Sequence, residues 1–373
     1  MSARGTGTFL VILICLPLFT ANVYAEWSSD TWLSNVIGPE RLENGDEFGC
    51  HGYEGVDTLE ETWIISACKD YLLDQTNASR WGMNPVSFGF PSGKLDDSTT
   101  SELAESGFLI VGDLLTERND GLFYVHRNGA SLEKGVADIE LLQSAEQDSL
   151  VSIHWRARVG DLRVRDDGDV VTWLEQQEVW FTTWGEWYFH RLSGIGTEVS
   201  MEGSKIFINS SIQSNAGESH WHVPGTTKIL FDENLISVQD SSGTTFPELN
   251  EDIRKLQVGW REIEGGVLVT QKPGSSVIID MENASTNVQS LPIQTFNGLH
   301  HSVTIAGHHT TNLFRWTQDF QNSELVFTWL IERPENEGIG IFIPGIAVTV
   351  LIAVPAIMAY IIRRDMNSKG SIV

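Results

Sequence analysis

Ser152-Ile153-His154-Trp155-Arg156-Ala157-Arg158-Val159 alternates with a period of two, placing His154, Arg156 and Arg158 on one side and Ile153, Trp155 and Ala157 on the other. Such a run predicts a strand with one solvated face and one face in a core. Turn signals surround it: Asn119-Asp120-Gly121, Asn128-Gly129 and Asp167-Gly168. These dipeptides suit tight hairpins, so the expected continuation is antiparallel, with Val170 to Phe181 returning beside the quoted strand.

Further along, short apolar runs recur at Lys228 to Phe231, Leu235 to Val238, Val267 to Thr270, Val277 to Asp280, Val303 to Ala306 and Leu325 to Ile331. Short strands at regular spacing predict a β-sandwich over 216–338, the immunoglobulin-like type being one candidate although no Cys-Trp-Cys framework is present. Upstream, two capping boxes, Thr58 to Glu61 and Thr99 to Glu102, predict helices near 58–75 and 99–106. The glycine, proline and aromatic segment Trp81 to Pro91 reads as a fixed loop packed by its own aromatics or lining a cleft. The expected class is α+β, predominantly β, with an N-terminal region over 26–215 ahead of the sandwich.

Both ends carry apolar segments. Residues 1–25 have one early positive charge, Arg4, an apolar run from Phe9 to Phe19 and small residues at Val23-Tyr24-Ala25, which is the three-part pattern of a signal peptide. Residues 339–362 contain no charge and are followed by Arg363-Arg364, so they are expected to form a single-pass transmembrane helix with a short cytoplasmic tail, 363–373, and an extracellular ectodomain. Gly345, Thr349 and Ala353 form a small-residue stripe on which a partner membrane helix would pack.

Residues 26–338 hold 20 Lys+Arg against 49 Asp+Glu, a net charge of −29. A surface of this sign repels phosphate backbones and excludes nucleic acid as a partner. Acid excess of this size suits a salt-rich medium, which screens the self-repulsion. Two cysteines remain after the leader, Cys50 and Cys68, and in an oxidising compartment they are expected to pair. Asn77, Asn209 and Asn283 begin Asn-x-Ser sequons of a surface glycoprotein.

Three clusters offer chemistry. His220-Trp221-His222 would set two imidazoles on one side of a strand, where a cation could be held, while His300-His301 and His308-His309 bracket another strand and can each lend one ligand. Trp180, Trp184, Trp187, Tyr188 and Phe189 crowd around Glu186, an arrangement suited to stacking on carbohydrate; Glu175, Glu178 or Asp169 would supply the second carboxylate of a polysaccharide hydrolase. Asp166, Asp167 and Asp169 form an acidic turn with oxygen ligands for calcium. No nucleophile elbow, phosphate loop or zinc-protease signature occurs, and no cofactor or catalytic residue is indicated by motif. The expectation is a membrane-anchored surface protein acting as a binding or structural module, with an anchored hydrolase or an accessory subunit of a membrane complex as alternatives.

Overall fold

The computed structural model describes residues 33–53, 56–90, 95–114, 122–132, 137–157, 168–211, 221–309, 323–333, 351 and 353–364. Residues 27–333 form one compact unit. In chain order its elements are α1 (Gly38–Asn44), β1 (Glu47–Tyr53), α2 (Trp63–Gln75), β2 (Ser87–Gly89), α3 (Asp97–Glu105), β3 (Ile110–Leu114), β4 (Phe123–His126), α4 (Ile139–Gln143), β5 (Leu150–Ala157), α5 (Gly168–Glu175), β6 (Trp180–Phe181) and α6 (Trp184–Ile195). Then come β7 (Thr197–Glu202), β8 (Lys205–Ser210), β9 (Gly225–Leu230), β10 (Leu235–Asp240), β11 (Gly259–Ile263), β12 (Gly266–Gln271), β13 (Ser276–Met281), β14 (Gln289–Pro292), β15 (Ser302–His309) and β16 (Phe327–Arg333).

The principal sheet runs β4-β3-β2-β1-β16-β15-β5, with β6 also on β15. Every pairing in it is parallel. Its two edges approach one another, because the chain leaving β4 crosses to β5. Gly129 N–H donates to Ser152 O at 3.1 Å, His154 N–H to Ala130 O at 3.0 Å and Leu132 N–H to His154 O at 2.9 Å. Ser131 and His154 form a parallel bridge, and the sheet is thereby nearly closed into a barrel.

Strand alternation then divides the residues between two faces. Phe48 and Cys50, Val151, Ile153 and Trp155, Val303 and Ile305, and Phe327, Trp329 and Ile331 share one apolar cluster with Ile65, Cys68 and Leu72 of α2, Leu103 of α3, Leu142 of α4 and Leu174 of α5. Helices covering the sheet exterior are what parallel strands require, since each crossover must pass over a face. The Cys50–Cys68 disulfide ties β1 to α2 on this side, as the sequence implied. Closing a loop of 18 residues stabilises by about 3 kcal/mol on the chain-entropy account.

The opposite face points into the barrel. Ile110, Val125, Leu150, Ala306 and Leu330 pack there around Trp184 of α6. Trp184 spans the interior: its Nε1–H donates to Ser152 Oγ on β5 at 3.0 Å and its backbone N–H to Thr328 Oγ1 on β16 at 3.1 Å. Across from these, a Cβ on Gly112 of β3 would lie 2.1 Å from the Trp184 six-membered ring, so only glycine fits there. Thr183 starts α6 as its N-cap, accepting from the Glu186 N–H at 3.1 Å.

Between α6 and β15 the chain builds two four-stranded antiparallel sheets, β10-β13-β8-β7 and β11-β12-β9-β14. Their inward rows, including Ile206, Ile208, Ile229, Val267, Val269, Val277 and Ile279, share one apolar cluster. The insertion abuts α6, where a Cβ on Gly225 of β9 would lie 2.3 Å from Gly194 N.

Several expectations are corrected. The predicted β-sandwich over 216–338 does not form as such: β7 and β8 precede that stretch, and β15 and β16 leave it to pair in parallel with β5 and β1. Asp167-Gly168 is not the hairpin turn expected, since α5 starts at Gly168 and occupies the first half of the anticipated return strand; Asp169 lies in its first turn. The predicted single-pass transmembrane helix over 339–362 is not found among the described residues, which leave out 339–350 and 352. Residues 353–364 are helical, yet no helix among the described residues is long and apolar enough to cross a membrane, which takes about 20 residues. The expected signal peptide at 1–25 and the acidic residues Asp166 and Asp167 lie outside the described residues.

Candidate active site

Four inward side chains converge where the parallel strands end. They are His51 on β1, Glu332 on β16, His308 on β15 and His154 on β5, from four strands that are adjacent in the sheet. The alternation that buries Cys50, Ile331 and Trp155 outside turns these four inside. All are buried, with exposures of 5 %, 4 %, 2 % and 7 %.

His51 Nδ1 lies 3.7 Å from Glu332 Oε1. The His51 and His308 rings are 4.1 Å apart between centroids, and the His154 ring meets that of His308 edge-on at 4.8 Å. Two local features aim His51 inward. The β1–β16 register shifts between Cys50 and Gly52, and Gly52 has φ +105°, a conformation open to glycine. On β2, a Cβ at Gly89 would come within 2.8 Å of His51 Cδ2, so a glycine leaves the ring its room.

Deeper in the barrel, at the start of β1, stands a second polar layer. The Glu47 carboxylate accepts hydrogen bonds from the Ser87 hydroxyl and, at 2.8 Å, from the Gly185 N–H at the N-terminus of α6. Complete burial pushes its carboxyl up to about 7, with Glu186 adding to the rise, while hydrogen bonds from Ser87, Gly185 and Thr183 act against it. Trp184, Leu330 and Ala306 make an apolar layer, and the strand rise separates Glu47 from His51, four residues on, by about 13 Å.

The residues singled out by sequence are placed elsewhere. Trp180, Trp184, Glu186 and Trp187 are buried, and Tyr188 is half-buried against Phe123. Glu186 is committed to Arg80 Nη2 at 3.0 Å, Trp81 Nε1 at 2.5 Å and Thr182 Oγ1 at 3.1 Å. Within this group Trp180, Trp184 and Glu186 are interior, whereas Trp187 borders a surface cleft of about 360 Å³ with Phe123, Tyr124 and His126. Glu175 and Glu178 line a polar surface cleft of about 710 Å³ with Arg254, Arg261 and His300. His222 is exposed, and His220 lies outside the described residues. His300 and His301 sit before β15 with their Nδ1 atoms 3.0 Å apart. Asn77, Asn209 and Asn283 are exposed, which suits their sequons.

Of the four site residues, sequence reasoning touched His308 as one of an adjacent pair and His154 as part of a solvated row; it passed over His51 and Glu332. The available signal was that three apolar runs, around Phe48, Ile305 and Leu330, each end on a histidine or glutamate, His51, His308 and Glu332. The donor set, two or three imidazoles and a carboxylate in a water-poor interior, can exchange protons or ligate a cation. Compared with protein-family models, curated proteins and solved structures, the chain matches none.

Proposed function

We propose that the chain is an enzyme, a hydrolase whose reaction centre is the barrel mouth formed by His51, His154, His308 and Glu332. One observation carries the reading: four proton-active side chains, each from a different adjacent parallel strand, meet in the interior at the strands' carboxyl ends. By analogy with parallel barrels, where reaction centres are built at that end because loops can vary there without disturbing the closed sheet, the position supports a reaction centre here. The chemistry adds support. Burying polar groups among apolar walls costs stability, and a cluster of them is retained where it does work. In the proposed role His51, His308 and Glu332 bind and activate a water for attack on the substrate, and His154, whose ring lies against that of His308, takes the water's proton.

The test is a panel of chromogenic esters, phosphomonoesters, glycosides and anilides presented to the full-length protein in concentrated salt. Turnover of one class is expected, falling at least about 100-fold in kcat/KM in Glu332→Gln and His308→Ala. Silence across the panel, or turnover indifferent to both substitutions in folded protein, overturns the reading.

A further inference from the structure

We propose that His51, His308 and Glu332 hold one transition-metal ion of the zinc class, with a coordination position left open toward the barrel mouth. The inference deepens the reading of the mouth as a reaction centre and rests on it.

The geometry comes first. Each of the three residues offers a ligand atom, and these atoms all lie within 4.8 Å of one another. Around a tetrahedral ion with ligand distances of about 2.0–2.2 Å, donor atoms stand about 3.4 Å apart. The His51 Nδ1 to Glu332 Oε1 separation of 3.7 Å is already close to this. Side-chain torsions can supply the remaining contraction, because the three residues stand at the ends of neighbouring strands whose backbones are fixed by the sheet.

The donor set then selects the ion. Two imidazoles with one carboxylate suit zinc and its first-row neighbours, whereas calcium and magnesium take six or more oxygens, which these residues do not offer. Number matters as well: structural zinc sites are closed by four protein ligands, while sites that perform chemistry use three and keep a place for water. Here, among the described residues, three meet the distance condition. His154 belongs to the next strand, and its ring lies against that of His308 rather than within the ligand group.

Charge and support agree with this assignment. A divalent ion makes sense of a carboxylate buried beside imidazoles, since the pair of charges is neutralised in part within the interior. The glycine at position 89 leaves the His51 ring its room, and the register shift at Gly52 sets the backbone that carries it. The chemistry supplied would be a bound water made acidic enough to lose its proton near neutral pH and attack as hydroxide.

Full-length protein is stripped with a chelator, exchanged into concentrated salt to suppress adsorption on its acidic surface, and titrated with zinc chloride and separately with cobalt chloride. One ion per chain is expected by elemental analysis, with the visible absorption of a four-coordinate cobalt site. Binding should weaken at least about 100-fold in His308→Ala and in the near-isosteric Glu332→Gln, and should be unchanged in His222→Ala at the exposed histidine. Circular dichroism of each variant keeps loss of the ion separate from loss of the fold. No stoichiometric binding of either ion, or equal affinity in the folded site variants, overturns the inference. Turnover that persists in the stripped protein but fails in Glu332→Gln removes the ion and leaves the reaction centre. Ion binding that depends on these residues, with no turnover affected by them, removes the reaction centre instead.

Discussion

Trp184→Ala is expected to destabilise the protein by about 4 kcal/mol, the loss typical of deleting a large ring from a core that only partly collapses. The indole is fully buried, meets Gly112 of β3 and Ser152 of β5, and in the variant a hydrogen bond to Ser152 is lost as well as its packing. Denaturant unfolding at fixed high salt measures the change. A second substitution makes the argument specific. Gly112→Ala places a methyl 2.1 Å from the ring in the wild-type background and should be strongly destabilising, yet in Trp184→Ala that methyl has space. The double variant should therefore be more stable than the sum of the two losses implies. Strict additivity would show that Trp184 and Gly112 do not meet across the barrel.

Glu47→Gln carries the second large effect, and its sign depends on pH. The folded-state carboxyl sits at about 7 against an ordinary value of 4.5, so the folded state binds the extra proton more tightly. The associated stability is fully present below 4.5 and is lost as pH rises through 7. Ionised Glu47 at pH 8 thus costs about 3 kcal/mol, from 1.36 kcal/mol per unit. A glutamine removes that cost while still accepting from Gly185 and meeting Ser87, so the variant should gain about this much at pH 8 and little at pH 4.

His190 works in the opposite direction. Burial lowers its imidazole to about 4 from an ordinary 6.5, against a hydrogen bond to Pro224 O that favours the proton. That contribution is full above 6.5 and is lost as pH falls through 4. Between 4.5 and 6.5 the Glu47 slope opposes those of His190 and of His301, whose imidazole burial likewise lowers to about 4, so Glu47→Gln should steepen the climb of stability with pH. Thermal unfolding from pH 4 to 8.5 reads this directly, and profiles of equal shape for wild type and variant would refute it.

Local features of this chain are legible because they depend on neighbours in sequence. The apolar stripe from Trp63 to Leu72 forms α2, Cys50 finds Cys68, and the short runs at Val267 and Val277 are strands. A helix signal is present even where the tryptophan crowd suggests strand, since Thr183-Trp184-Gly185-Glu186 is a capping box and starts α6. What misleads is the polar row of β5. Ser152 and His154 face the interior of a barrel, and a polar interior has the same period-two pattern as a face in water. From that reading an antiparallel neighbour follows naturally, and the parallel partners β15 and β16 are hidden by the intervening insertion. The site was illegible for the same reason: His51, His308 and Glu332 are far apart in sequence and become neighbours only through pairing of distant strands.

The pairing of β1 with β16, which sets Glu47 opposite Thr328, makes the first strand wait for the last. Until β16 has been synthesised, β1 lacks one lateral partner and the ring stays open along that seam. Bringing such remote segments together carries a loop-closure penalty that local helices do not face, so assembly should be slow. Chains cut short before Phe327 would keep two unsatisfied strand edges, the sort of surface that recruits another chain.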